Sequence, residues 1–337
     1  GKSSIFQLIC GFEQPDDGKV LINGQDVTNE QPYFRNVGVV FQDYGLFPNM
    51  SAFENIAYGL HLRRLPRNEI RMRVLMAAET LNLKPLLERP ITHLSGGELQ
   101  RVALARVLVK DADVYLFDEP LSQLDPRTRY QARQEIMLVH RIKRKPSIYI
   151  THDQNEAFAI ASRVAVIAKG RIQQIGTPDE LMDMPTNLFV ARFIGNPPMN
   201  LLNCTIQLVA AHYQLHSDSF TFKLPTQWTS MLAQFGPQAH LILGIRPNMI
   251  IPEWSFGTLG TIPHSILPAQ ITCIEPAIGQ ILIKLKIGAY TEILAEFDDT
   301  YANQLAVGQF MKIALNLNRL HLFDPRSEQL LNRMPLS

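Results

Sequence analysis

Apolar residues fall along the first 195 positions in two rhythms. Short runs without polar alternation, 37–41, 114–117, 148–150 and 164–168, are separated by stretches in which apolar positions recur every three or four residues. Uninterrupted runs suit strands buried on both faces, and strands separated by helices build a parallel sheet. The spacing predicts helices over 53–62, 67–83, 99–109, 127–144 and 154–161; in the fourth, Ala132, Ile136 and Val139 share one face. After residue 200 the rhythm changes to short β-type runs, 204–209, 219–223, 241–245, 269–274, 280–287, 292–297 and 312–317. Gly279, Gly288, Gly308 and Pro268 punctuate them, which predicts a compact β-barrel or sandwich. The stretch Gly195-Asn196-Pro197-Pro198-Met199-Asn200 reads as the linker. The expected layout is therefore an α/β domain over 1–200 and a β-rich domain over 201–337.

Composition narrows the classes. With 337 residues, 46% of them hydrophobic, the chain can bury two cores. A net charge of +1 argues against a generally basic nucleic-acid binder, and most charged residues precede Asn196. Cys10, Cys204 and Cys273 are too few and too far apart for a disulfide framework or a zinc site, which suits a reducing compartment. The long uncharged stretches, 196–217 and 254–274, are broken by proline and polar residues, so neither reads as a membrane-spanning helix.

Three segments carry candidate chemistry. Gly1-Lys2-Ser3 matches the end of the phosphate loop G-x-x-x-x-G-K-[ST]. In that motif backbone N–H groups cradle phosphates, the lysine reaches the β/γ-phosphates and the hydroxyl binds Mg²⁺. Val114-Tyr115-Leu116-Phe117-Asp118-Glu119 places two carboxylates at the C-terminal edge of a parallel strand, where open α/β sheets bind ligands. Asp118 is expected to position Mg²⁺ and Glu119 to polarise an attacking water. Leu94-Ser95-Gly96-Gly97-Glu98-Leu99-Gln100-Arg101 opens a helix, with Ser95 as N-cap and two glycines that let a ligand approach the backbone, a second anion site. Taken singly, each segment also fits a solvated turn.

The ordered set GKSS, Gln42 after a strand, LSGGELQR, LFDEP, Ser122-Gln123-Leu124-Asp125 and Thr151-His152-Asp153 resembles the ATP-binding subunit of an ABC transporter. The stretches 193–200, Gly244-Ile245-Arg246-Pro247 and His321-Leu322-Phe323-Asp324-Pro325 resemble the importers for oligosaccharides, maltose or glycerol 3-phosphate. The resemblance implies a P-loop NTPase fold, a parallel sheet with a helical subdomain, followed by a regulatory barrel of the oligonucleotide-binding (TOBE) type. ATP and Mg²⁺ are the implied ligands. Gly1, Lys2, Ser3 and Ser4 would line the phosphates, with Ser3, Gln42 and Asp118 at Mg²⁺. Glu119 would be the catalytic carboxylate, and His152 and Gln42 would orient the water and the γ-phosphate. Ser95, Gly96 and Gly97 would bind nucleotide held by an opposite subunit, with Asp125 at the seam.

The implied partners are a second ATP-binding subunit, in a homodimer, two transmembrane permease subunits, and indirectly an extracytoplasmic solute-binding protein, at the cytoplasmic face of the membrane and without nucleic acid. The aromatic stretch 44–48 is the expected docking groove for a permease helix. Gly1 is expected to mark a cut through the phosphate loop. Glu98, Gln123 and Asn248 depart from the family pattern, which has Gln, Asn and Glu there more often. The alternatives are an importer ATPase for polyamine, ferric iron or sulfate and, in another class, a non-hydrolytic regulatory module.

Overall fold

The computed structural model describes residues 1–332 except Ala211, Pro237, Thr261 and Ile278. The chain divides into two compact units, Gly1–Ser162 and Arg163–Ser337.

In the first unit the order is α1 (Lys2–Cys10), β1 (Leu21–Ile22), β2 (Gln25–Asp26), β3 (Val37–Val40), α2 (Ala52–Leu62), α3 (Arg67–Thr80), α4 (Gly96–Leu108), β4 (Val114–Asp118), α5 (Pro126–Lys143), β5 (Ser147–Ile150) and α6 (Gln154–Ile160). β3, β4 and β5 form a parallel sheet in that order, with Val40 opposite Phe117 and Asp118 opposite Ile150. Their C-terminal ends therefore lie along one sheet edge. α2, α3, α4 and the inner face of α5 share a core with Tyr115 and Phe117, into which Ala132, Ile136 and Val139 are buried. Phe6 and Cys10 of α1 pack with Val37, Val114 and Leu116 in a second cluster. Gly38 is needed for this closeness: a Cβ there would lie 2.6 Å from the Tyr115 ring.

The second unit begins with β6 (Val164–Ala168), β7 (Arg171–Gly176), α7 (Pro178–Asp183) and α8 (Leu188–Phe193). The strand at 164–168, expected in the parallel sheet, instead pairs antiparallel with β7 in a separate hairpin. The reason is local. Lys169 and Gly170 both take positive φ, 50° and 72°, the type I′ geometry whose twist matches a two-residue hairpin. Then follow β8 (Asn200–Val209), β9 (His212–His216), β10 (Thr221–Lys223), α9 (Thr229–Leu232), β11 (His240–Ile245), β12 (Ile250–Pro252), β13 (His264–Ala277), β14 (Gln280–Ile287), β15 (Thr291–Asp298), β16 (Phe310–Asn316) and β17 (His321–Phe323). They form two five-stranded antiparallel sheets, β10-β9-β8-β11-β17 and β12-β16-β13-β14-β15, around one apolar core.

Two buried side chains tie 163–194 to this β-rich part. The Arg246 guanidinium donates to the carbonyls of Met182, Ala191 and Ile194, at or next to the C-terminal ends of α7 and α8. His321 Nε2 meets the Asp183 carbonyl at 2.7 Å. Packing thus places residues 163–200 with the second unit. Among the described residues no helix is long and apolar enough to cross a membrane.

Candidate functional site

The site grows from the strand ends. β4 finishes at Asp118, and Glu119 continues the ladder by donating its N–H to the Ile150 carbonyl at 2.9 Å. Glu119 then turns into the left-handed region, φ 43°, and its carbonyl accepts from the Ser122 N–H and hydroxyl. This turn takes the second carboxylate off the strand line, so the two acids have different surroundings. Burial, then the Glu119 carboxylate, push the Asp118 carboxyl above its ordinary value, while the Lys2 ammonium pulls it down.

Lys2 comes from the other side. It opens α1, with Gly1 as N-cap, and its Nζ donates to the Thr151 carbonyl at 2.9 Å. The ammonium is thus fixed beyond β5, within electrostatic reach of Asp118. One residue on, His152 Nδ1 lies 3.1 Å from Glu119 Oε2. Nδ1 is thus the ring nitrogen that meets the Glu119 carboxylate. Glu119, Ser122, Arg129, Thr151, His152 and Glu156 line a cavity of about 50 Å³, room for water beside the carboxylate.

Lys2, Asp118, Glu119 and His152 are therefore brought together. Ser3 and Ser4 sit in the first turn of α1, and Gln42 is exposed just beyond β3. The Ser3 hydroxyl and the Asp118 and Glu119 carboxylates are hard oxygen donors, the type Mg²⁺ prefers.

Ser95, Gly96, Gly97 and Asp125 form a second group. Ser95 caps α4, and its N–H and hydroxyl both donate to Glu98, at 2.7 and 2.8 Å. A Cβ on Gly97 would come within 2.9 Å of Thr128, and one on Gly96 within 3.6 Å of Leu124, so the turn lies against the start of α5. There Asp125 is occupied as N-cap, accepting from the N–H groups of Arg127 and Thr128.

Glu156 and Arg129 escaped the sequence reading. Asp153-x-x-Glu156 has the spacing of a capping box and gives no other sign. Yet Glu156 is 6% exposed and accepts from the hydroxyls of Thr151 and Tyr149 at 2.9 and 3.1 Å. Elsewhere in the first unit, Tyr44 and Gly45 take positive φ, Phe47 contacts Tyr58 with centroids 4.4 Å apart, and Arg106 donates to the Gly45 carbonyl. Phe12, Tyr33, Phe41, Phe47, Tyr58 and Arg106 line a cavity of about 550 Å³.

Residues 1–122 match the family described as ABC transporter, and residues 195–250 match the MalK OB fold domain. The chain is 36% identical, over 97% of its length and 88% of the relative's, to the multiple sugar-binding transport ATP-binding protein MsmK of Streptococcus mutans. It is 37% identical, with the same coverage, to the oligosaccharides import ATP-binding protein MsmX of Bacillus subtilis. To the sn-glycerol-3-phosphate import ATP-binding protein UgpC of Yersinia pseudotuberculosis it is 45% identical over 74% of the chain and 68% of the relative. Among solved structures it is similar to cbiO1 of Clostridium perfringens, described as part of the ABC transporter complex cbiONQ. The TM-score is 0.50 at 30% identity, over 54% of this chain and 74% of that one. With relatives matched along nearly its whole length and the strand-end site they accompany, the chain belongs to the ABC transporter family, among its ATP-binding subunits.

Proposed function

We propose that this protein hydrolyses ATP to drive import of an oligosaccharide or of sn-glycerol 3-phosphate, working as a dimer beneath two permease subunits at the cytoplasmic face of the membrane. The observation that carries the reading is the contact of His152 Nδ1 with Glu119 Oε2, at the same sheet edge as Lys2 and Asp118. In this reading Lys2 contacts the β/γ-phosphates, with Gly1 and Ser4 beside it, and Glu119 takes the proton of the attacking water. His152 and Gln42 orient that water and the γ-phosphate. Ser3, Gln42 and Asp118 would hold Mg²⁺, which when bound neutralises charge on the phosphate oxygens.

Phosphoryl transfer to water is mainly positioning and charge stabilisation. Ser95, Gly96 and Gly97 would complete the shell from the opposite subunit, with Asp125 at the seam. The aromatic cavity around Phe47 supports docking of a permease helix there, since rigid aromatics anchor interfaces. The substrate class rests on the printed functions of the relatives.

The test is ATP turnover by the assembled transporter. Glu119→Gln is expected to lower kcat about 10²–10⁴-fold while ATP binding is retained. Hydrolysis at the unmodified rate would overturn the reading. Stimulation by a sugar-loaded or a glycerol-phosphate-loaded binding protein separates the two substrates.

A further inference from the structure

At three helix starts the glutamate three residues after the N-cap returns to the N-cap's own N–H. Glu54 does so at Ser51, Glu98 at Ser95 and Glu180 at Thr177. α6 has the same spacing and departs from this pattern. The Asp153 N–H donates to Thr151 Oγ1 at 2.9 Å, and Glu156 is released from capping. Its carboxylate is turned inward, where Oε2 accepts from both Thr151 Oγ1 and Tyr149 Oη. Burial and the adjacent carboxylate push the Tyr149 phenol up, which keeps it a neutral donor.

The other oxygen, Oε1, lies 3.9 Å from Arg129 Nε, and Arg129 Nη2 donates to the Leu124 carbonyl at 2.9 Å. A chain of contacts, with a 3.9 Å ion-pair step between Arg129 Nε and Glu156 Oε1, therefore runs from Leu124, beside Asp125, through Arg129 and Glu156 to Thr151, the residue before His152. Thr151 is its node. Its carbonyl takes Lys2, its hydroxyl donates to Glu156, and the same oxygen receives the Asp153 N–H.

We propose that Glu156 is a positioning residue for hydrolysis: by holding Thr151, and through Arg129 the Leu124-Asp125 loop, it sets the placement of His152 against Glu119. This rests on the ATPase reading above. The hydrogen bonds of Glu156 go to Thr151 and Tyr149, so its influence on Glu119 and His152 passes through Thr151. Apolar packing alone would not need the carboxylate. The hydroxyl of Thr151 is the group through which it acts.

The experiment compares ATP hydrolysis by the assembled transporter carrying Glu156→Ala, Thr151→Val, Thr151→Ser or Glu119→Gln, with ATP binding measured alongside. Glu156→Ala and Thr151→Val are expected to lower kcat about 10–100-fold, the scale of a misplaced catalytic group, with KM for ATP within about threefold. Thr151→Ser, which keeps the hydroxyl, is expected to stay within about threefold of the unmodified kcat. Thr151→Val preserves side-chain volume, so it decides the matter if Glu156→Ala fails to fold. Three results would overturn the proposal: an unchanged kcat in Thr151→Val, an equal loss in Thr151→Ser and Thr151→Val, or a change in KM alone. Unaltered hydrolysis in Glu119→Gln would instead overturn the ATPase reading, and the positioning role with it.

Discussion

Buried polar side chains in this protein work mostly on backbone carbonyls. Arg35 and Arg246, 2% and 3% exposed, each place a guanidinium against carbonyls at helix C-termini, those of α1 for Arg35 and of α7 and α8 for Arg246. Among the described residues neither forms an ion pair within 4 Å; the helix C-terminal carbonyls supply the negative end, and for Arg246 the Asp183 carboxylate adds to it. His321 is the titratable member of this set. Burial holds its imidazole down at about 4 from the ordinary 6.5, against the opposing pull of the Asp183 carbonyl.

A depressed pKa means that the unfolded chain takes up a proton before the folded one. The stability is whole above pH 6.5, is lost as pH falls, and is gone below about 4. The loss amounts to about 3 kcal/mol. Urea unfolding followed at pH 7 and at pH 4.5 is expected to show a larger drop for the unmodified protein than for His321→Gln, and equal drops would contradict it. At this scale the motif residues were legible from type and order, whereas Glu156 was not. A glutamate three places after an aspartate looks the same in sequence whether it caps the helix or turns inward.

Elements were legible in proportion to their length. The apolar face of 127–144 emerges as α5, Pro126–Lys143, because eighteen residues at helical spacing leave little room for another period. Shorter pieces escaped. The run 164–168 has the composition of a parallel strand, and only the Lys169-Gly170 turn that follows marks it as half of a hairpin. The β1–β2 hairpin turns on Asn23-Gly24, also at positive φ, and its two-residue strands give no periodicity to read. α7 carries a proline at its first position and a Thr177–Glu180 box, signals stronger than its six residues of pattern. Gly170 offers a clean test of the hairpin turn. A Cβ there meets nothing within 4 Å, so Gly170→Ala pays only for its left-handed backbone, about 1–2 kcal/mol in urea unfolding. No change would show that the turn is not held in this geometry.

For the whole molecule, two cores were foreseeable from length and from the change of rhythm near residue 200. That residues 163–194 pack with the β-rich unit was not, because the contacts responsible, Arg246 with Met182, Ala191 and Ile194, join positions more than fifty residues apart. A fragment spanning 163–337 is expected to unfold cooperatively and to be more stable than one spanning 201–337. The shorter piece exchanges those carbonyls for water around the Arg246 guanidinium, a loss of about 1.5–3 kcal/mol, the net worth of hydrogen bonds to a charged group. Equal stability of the two fragments would argue that the Arg246 contacts contribute little.

The cap of α4 has a consequence for how two such chains would meet. Glu98 is an anion on a one-turn tether, at an effective concentration set by the helix, and it already occupies the Ser95 N–H and hydroxyl. Under the proposed reading, a phosphate oxygen reaching for Ser95 enters by ligand exchange with a resident competitor. The exchange forfeits one capping interaction, about 1 kcal/mol, which is regained on departure. Under that reading Glu98 would act as a returning spring at the contact, making the closed pair easier to open after the phosphate has gone.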